Sequence, residues 1–125
     1  MTWTLALVVA AGGAIGAPIR LLLESRITRS VSEYRWSAFP WGLLVVNTLG
    51  SLLIGIVYVV ADEPWRALLA TGGCGALTTY SGYAYFVHRT WDTDRSAAWW
   101  AIVAMPVMCI TACAFAVLVT RAIVA

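Results

Sequence analysis

Apolar residues run through this chain in four long stretches, at positions 3–23, 41–60, 65–87 and 97–124. A helix needs about 20 predominantly apolar residues to cross a bilayer, and each stretch reaches that length. Most charge falls between them or at their edges, at positions 24–35, at Asp62, Glu63 and Arg66, and at positions 89–95. Pro40 and Pro64 stand at expected helix starts, where a missing N–H does little harm. Pro18 and Pro106 fall inside stretches and predict bends there. Trp3, Trp41, Trp65, Trp91, Trp99 and Trp100 mark the stretch ends, as interfacial aromatic anchors do. The last stretch exceeds the length needed, which predicts tilt or extension past the bilayer. The pattern predicts an all-α membrane protein, one domain over 1–125 with four transmembrane helices.

One segment interrupts this regularity. Positions 72–83 read Gly-Gly-Cys-Gly-Ala-Leu-Thr-Thr-Tyr-Ser-Gly-Tyr, inside the third stretch. In a bilayer every backbone N–H and C=O needs an internal partner, so irregular backbone survives only against protein or a wet cavity. The third helix is therefore expected to be broken mid-membrane. Unwound backbone oxygens suit a hard cation such as Na⁺, and the positive ring edges of Tyr80 and Tyr83 suit an anion. The alternative for the two rings is core packing. Thr78, Thr79 and Ser81 either back-bond to the preceding turn or offer hydroxyls to a passing ion.

Composition excludes a water-soluble domain. The chain is 62% hydrophobic and 11% charged, against roughly 45–50% and about 25% for soluble proteins. The apolar character persists to Ala125, more than an N-terminal signal segment would explain. The net charge of +2 carries no argument for nucleic acid, and no such partner is expected. All the basic residues are arginine, and their placement is informative. Arg20, Arg26, Arg29 and Arg35 gather at the first connection, Arg89 and Arg95 at the third, and only Arg66 and Arg121 at the opposite face. The positive-inside rule then puts the first and third connections in the cytoplasm and both termini outside a multi-pass cell-membrane protein. No nucleophile–base constellation or phosphate-binding loop occurs, so no enzyme activity is expected.

The remaining motifs concern close packing and isolated polar groups. Gly12, Gly13, Gly16 and Ala17 form a small-residue face that lets another backbone approach. Arg20 reads either as a snorkelling arginine or as a cationic group drawing anions toward a vestibule. Asn47 is the one amide deep in an apolar run. It reads either as interhelical glue or as a donor to an anion through its NH₂. Gly50, Ser51 and Gly55 continue a second small face. Cys74, Cys109 and Cys113 lie inside the stretches, an odd number that argues against a disulfide framework. Small packing residues are the better reading of them than a metal site.

Taken together, these motifs resemble the Fluc/CrcB family of small fluoride channels. The resemblance covers essentially the whole chain. It rests on Gly12-Gly13-x-x-Gly16-x-x-x-Arg20, on Gly42-x-x-x-x-Asn47-x-x-Gly50-Ser51, and on Gly72-x-x-Gly75-x-x-Thr78-Thr79-Tyr80-Ser81-x-Tyr83. It implies an antiparallel dual-topology dimer with two anion pathways and a structural Na⁺ at the dimer interface. By the same resemblance Asn47 donates its amide to fluoride, Tyr80 and Tyr83 take the positions of two pore phenylalanines, and Thr79 and Ser81 add hydroxyls. The carbonyls of Gly75 and Thr78 would supply the Na⁺ cage, two from each subunit, and Arg20 would stand near the cytoplasmic vestibule.

The chain departs from the family pattern in several places. Tyrosine replaces phenylalanine at both aromatic positions, and Leu43 stands where the pattern has threonine. Trp100 and Ala104 stand where the fourth helix usually supplies a tyrosine and a serine, and Thr111 is a possible displaced substitute. The arginine bias bears on assembly, because an identical antiparallel dimer needs one sequence to insert both ways. The expected partner is therefore an oppositely oriented sister subunit in a heterodimer, with self-pairing as the alternative. Two other functions fit a chain of this size. A small multidrug-type exporter would need a mid-span carboxylate, which the sequence lacks. A non-conducting assembly subunit would fit the stripped fourth helix.

Overall fold

The structure, a computed structural model, describes residues 3–32 and 38–125, and the elements it contains are all helical. Arg35 of the first basic cluster lies outside the described residues. The elements are α1 (Trp3–Val31), α2 (Trp41–Val60), a π-helical segment (Ala67–Cys74), α3 (Gly75–Leu77), α4 (Tyr80–Thr90) and α5 (Arg95–Val124). Among the described residues three helices, α1, α2 and α5, are long and apolar enough to cross a membrane.

The stretch at 65–87, expected to be interrupted, is not one continuous helix. It is divided into the π-helical segment, the short α3 and α4, and no piece alone reaches spanning length. The division falls at Thr78 and Thr79, whose ψ values of 156° and 119° leave the helical region. The first stretch is longer than expected. α1 runs past the expected end at 23 to Val31, and its 29 residues extend about 44 Å at 1.5 Å per residue. Glu24, Arg26 and Arg29 therefore ride on a helical extension. Gly42, near the start of α2, leans on that extension. A Cβ there would lie 2.5 Å from the Glu24 carbonyl and 2.6 Å from Thr28 Oγ1. Both α1 and α5 continue through their internal prolines, Pro18 and Pro106.

Two glycine seams set the packing. α1 packs chiefly on the π-helical segment, and α2 chiefly on α5. A side chain at Gly12 would collide with the Leu68 carbonyl and lie 2.8 Å from the Gly73 nitrogen, and one at Gly16 would collide with the Gly73 carbonyl. From the other side, a Cβ at Gly72 would come within 2.5 Å of the Val9 carbonyl. Positions in contact rise together, Val9 with Gly72 and Gly16 with Ala76, so α1 and the third stretch run parallel. On α2, Gly55 makes room for the Cys113 carbonyl, which a Cβ would approach to 2.6 Å. The small-residue faces are thus seams where backbones touch, as dispersion-driven packing in lipid requires.

The core between α2 and α5 contains Val46, Ala98 and Ala101, all fully buried. Beside it Leu43, Leu44 and Met105 form a cluster joined by Phe39, Tyr83 and Phe86. The outer surface is apolar as well. Leu7, Ile110, Leu118 and Ile123 are each more than 65% exposed, a surface that suits lipid and would drive aggregation in water.

Candidate ion site at the break of the third stretch

The break is held open by a side chain from another helix. Asn47, 7% exposed on α2, accepts from the Thr79 N–H through Oδ1 at 2.7 Å. It donates from Nδ2 to the Thr79 carbonyl at 3.2 Å. One amide thus pairs with both backbone groups of one residue, as a neighbouring strand would. Its second N–H is turned to the Met105 thioether, 3.7 Å from Nδ2, and sulfur is a weak acceptor. Thr79 also starts α4. Its Oγ1 accepts from the Gly82 N–H at 3.1 Å, an N-cap bond, and shares a 3.1 Å hydrogen bond with Ser81 Oγ.

These bonds have a consequence for two carbonyls. In an unbroken α-helix the N–H of residue i pairs with the carbonyl of residue i−4. The Thr79 N–H would close on Gly75, and the Gly82 N–H on Thr78. Both donate to side chains instead, Asn47 Oδ1 and Thr79 Oγ1. The Gly75 carbonyl keeps a long 3.4 Å contact from Thr78 Oγ1. Neutral carbonyl oxygens released in this way match the donor set a hard monovalent cation takes from unwound helix. Two oxygens from one chain are too few to enclose an ion by themselves.

Beside the break lies a groove of about 320 Å³, lined by residues including Asn47, Thr78, Thr79, Tyr80, Tyr83 and Met105. The Tyr80 and Tyr83 rings meet at 5.5 Å between centroids with a 51° tilt. Tyr83 is partly buried against the Leu43–Leu44–Met105 cluster, whereas Tyr80 is 80% exposed. No charged side chain is among the described residues lining the groove. Its polarity comes from an amide and hydroxyls, beside the two tyrosine rings.

The structure therefore brings together Asn47, Thr78, Thr79, Tyr80 and Tyr83. Ser81 joins through Thr79, and Gly75 ends the preceding segment. Arg20 is not a lining residue; its Nε is buried on α1 with no hydrogen-bond partner. Trp100 and Ala104 line a second groove of about 710 Å³ with Phe39, Trp41 and Asp94. Thr111 bonds back to the Val107 carbonyl at 2.7 Å and lines neither groove. Met105, Pro106 and Cys109 of α5 complete the first groove, and sequence reasoning did not place them there. The one available signal was Pro106, a proline inside an apolar span.

An all-helical chain with several spanning helices and polar groups gathered at a helix break is a small multi-pass membrane protein. The sequence pattern of the family described as "CrcB-like protein, Camphor Resistance (CrcB)" matches residues 7–120. The chain belongs to this family. A protein of Erythrobacter litoralis named "Fluoride-specific ion channel FluC" is 34% identical over 121 residues, covering 90% of this chain and 89% of its own. A protein of the same name from Leptospira interrogans is 44% identical over 85 residues, 63% of this chain and 64% of its own. One from Frankia casuarinae, "Fluoride-specific ion channel FluC 1", is 41% identical over 95 residues, 68% of each. The match thus spans a little under two thirds of the Leptospira protein's length and most of the Erythrobacter protein's.

Proposed function

We propose that this chain is a subunit of a fluoride-selective channel in the cell membrane, passing cytoplasmic fluoride outward. The observation that carries the reading is the groove at the break, lined by Asn47, hydroxyls and the Tyr80 and Tyr83 rings without a lining charge. Fluoride is small and strongly hydrated, so a pore must replace its water with donors that let go again. Weak, multiple sites permit that, whereas a fixed cation would hold the ion. The Asn47 N–H turned to Met105 is the donor free to trade a weak sulfur contact for an anion. The names of the relatives point the same way. Outward flow follows from the membrane potential acting on an anion.

In this reading the third stretch is one broken span, giving four spans. The carbonyls of Gly75 and Thr78 form a half-site for Na⁺, completed by an antiparallel second subunit. The arginine distribution supports an oppositely oriented sister chain over self-pairing, with both termini outside. A second reading, a non-conducting assembly subunit, draws support from the second groove, where Trp100 and Ala104 present an apolar wall. Fluoride efflux from liposomes separates these readings, with this chain alone and with an oppositely inserted partner. Flux that requires the partner is the expected result. Full flux from a stable homodimer would remove the heterodimer, and no flux in either setting would leave the assembly role.

A further inference from the structure

The two carbonyls at the break are free only because two side chains take the N–H groups that would otherwise close on them. From this we infer that Asn47 and Thr79 are positioning residues for the cation half-site, so that the anion groove and the cation site share one latch. The inference rests on the cation reading proposed above and adds what builds that site. Asn47 Oδ1 holds the Thr79 N–H at 2.7 Å, and this keeps the Gly75 carbonyl from its helical partner. Thr79 Oγ1 holds the Gly82 N–H at 3.1 Å, and this does the same for the Thr78 carbonyl. Asn47 Nδ2 ties the Thr79 carbonyl to the same side chain, so the amide fixes the whole peptide.

Without these acceptors the N–H groups have no better partner than the carbonyls one turn back. A buried N–H left unpaired is strongly disfavoured, and the backbone then gains by zipping into continuous helix. The cation site would close as the helix heals. The same Asn47 and Thr79 line the groove proposed for the anion. An anion drawing on the Asn47 amide therefore pulls on the residue that keeps the carbonyls available. Cation and anion occupancy are coupled through a single peptide.

The test compares acceptor-keeping with acceptor-removing variants of the full chain in its native assembly. Na⁺ binding is read as Na⁺-dependent thermal stabilisation in a background of a large organic cation, alongside amide hydrogen exchange at residues 75–82. Thr79→Ser keeps the oxygen and is expected to bind Na⁺ like the unsubstituted chain. Thr79→Val removes it and is expected to raise the apparent Kd roughly tenfold, the effect of losing one good hydrogen bond. Asn47→Asp keeps an oxygen for the Thr79 N–H and is expected to retain Na⁺ binding while fluoride flux falls. Asn47→Leu is expected to lose both. Slower exchange at residue 82 in Thr79→Val and at residue 79 in Asn47→Leu would mark the healed helix. Unchanged Na⁺ affinity in Thr79→Val, in a protein that otherwise binds Na⁺, overturns this inference alone. Absence of any Na⁺ effect in the unsubstituted protein overturns the cation reading and the inference together.

Discussion

The two halves of the third stretch are neighbours in sequence and opposites in environment. The π-helical segment buries Ala67, Ala70, Gly72 and Cys74 and sits on the glycines of α1. α4, only a few residues later, buries none of its eleven residues. Tyr80 and Tyr85 are 80% and 63% exposed. The first half is small-residue sequence, Ala-Leu-Leu-Ala-Thr-Gly-Gly-Cys, which lets backbones touch. The second is aromatic, Tyr-Ser-Gly-Tyr-Ala-Tyr-Phe, and its exposed rings face lipid or, in the proposed assembly, a second subunit. The break lies between a half that is largely buried within the chain and a half that is not. Packing within the chain therefore concentrates before Thr78, and exposed aromatic surface after it.

This contrast is open to direct attack, most severely at the seam. Gly16→Leu should destabilise the protomer by about 3 kcal/mol or more, since overpacking here meets the Gly73 backbone, which cannot yield as a side chain would. Loss of the monodisperse species on purification and a large drop in melting temperature would show it. A mild effect would mean that the π-helical segment is free to shift. An intermediate effect is expected at Tyr83, where α4 touches the core cluster. Tyr83→Phe keeps the ring edge, and fluoride flux should stay within about threefold, under roughly 1 kcal/mol of barrier. Tyr83→Leu removes the edge, and flux should fall by tenfold or more in the same liposome assay. Equally reduced flux in both would show that the hydroxyl, not the ring, matters, and unchanged flux in both would show that neither does. The smallest effect belongs to the exposed face of α4. Tyr85→Ala should change protomer stability by no more than about 0.5 kcal/mol while weakening subunit association, measured by dilution in detergent. A large stability loss there would show α4 to be completed within the protomer after all.

The broad architecture was legible because lipid imposes simple demands. Apolar runs and their tryptophan margins marked α2 and α5 closely, and glycine-rich sequence marked the seams. The unusual composition of 72–83 was also legible, though the backbone leaves the helical region only at Thr78 and Thr79 within it. The bond that makes the interruption was not. Asn47 and Thr79 lie 32 positions apart, and pairing of that kind depends on the relative height of two helices, which the pattern of either one does not carry. The extent of α1 was hidden for a different reason. Glu24, Arg26 and Arg29 ended the apolar run but not the helix, because arginine and glutamate are good helix formers. Met105 was invisible as a groove residue, since an unbranched thioether in an apolar span looks like packing.

The contact between Gly50 and Thr78 acts as a depth gauge. Gly50 stands halfway along the 20-residue α2, whose length of about 30 Å equals the hydrocarbon thickness. A Cβ at Gly50 would collide with the Thr78 methyl group, so the break sits at mid-height. Asn47, one turn away, lies about 4.5 Å to one side. An ion at the break would then sense about half the transmembrane voltage from either face. In the proposed antiparallel pairing, the partner's amide would stand the same distance beyond the midplane. The cation position would be electrically neutral to the direction of the field, and the two anion positions would be unequal in it.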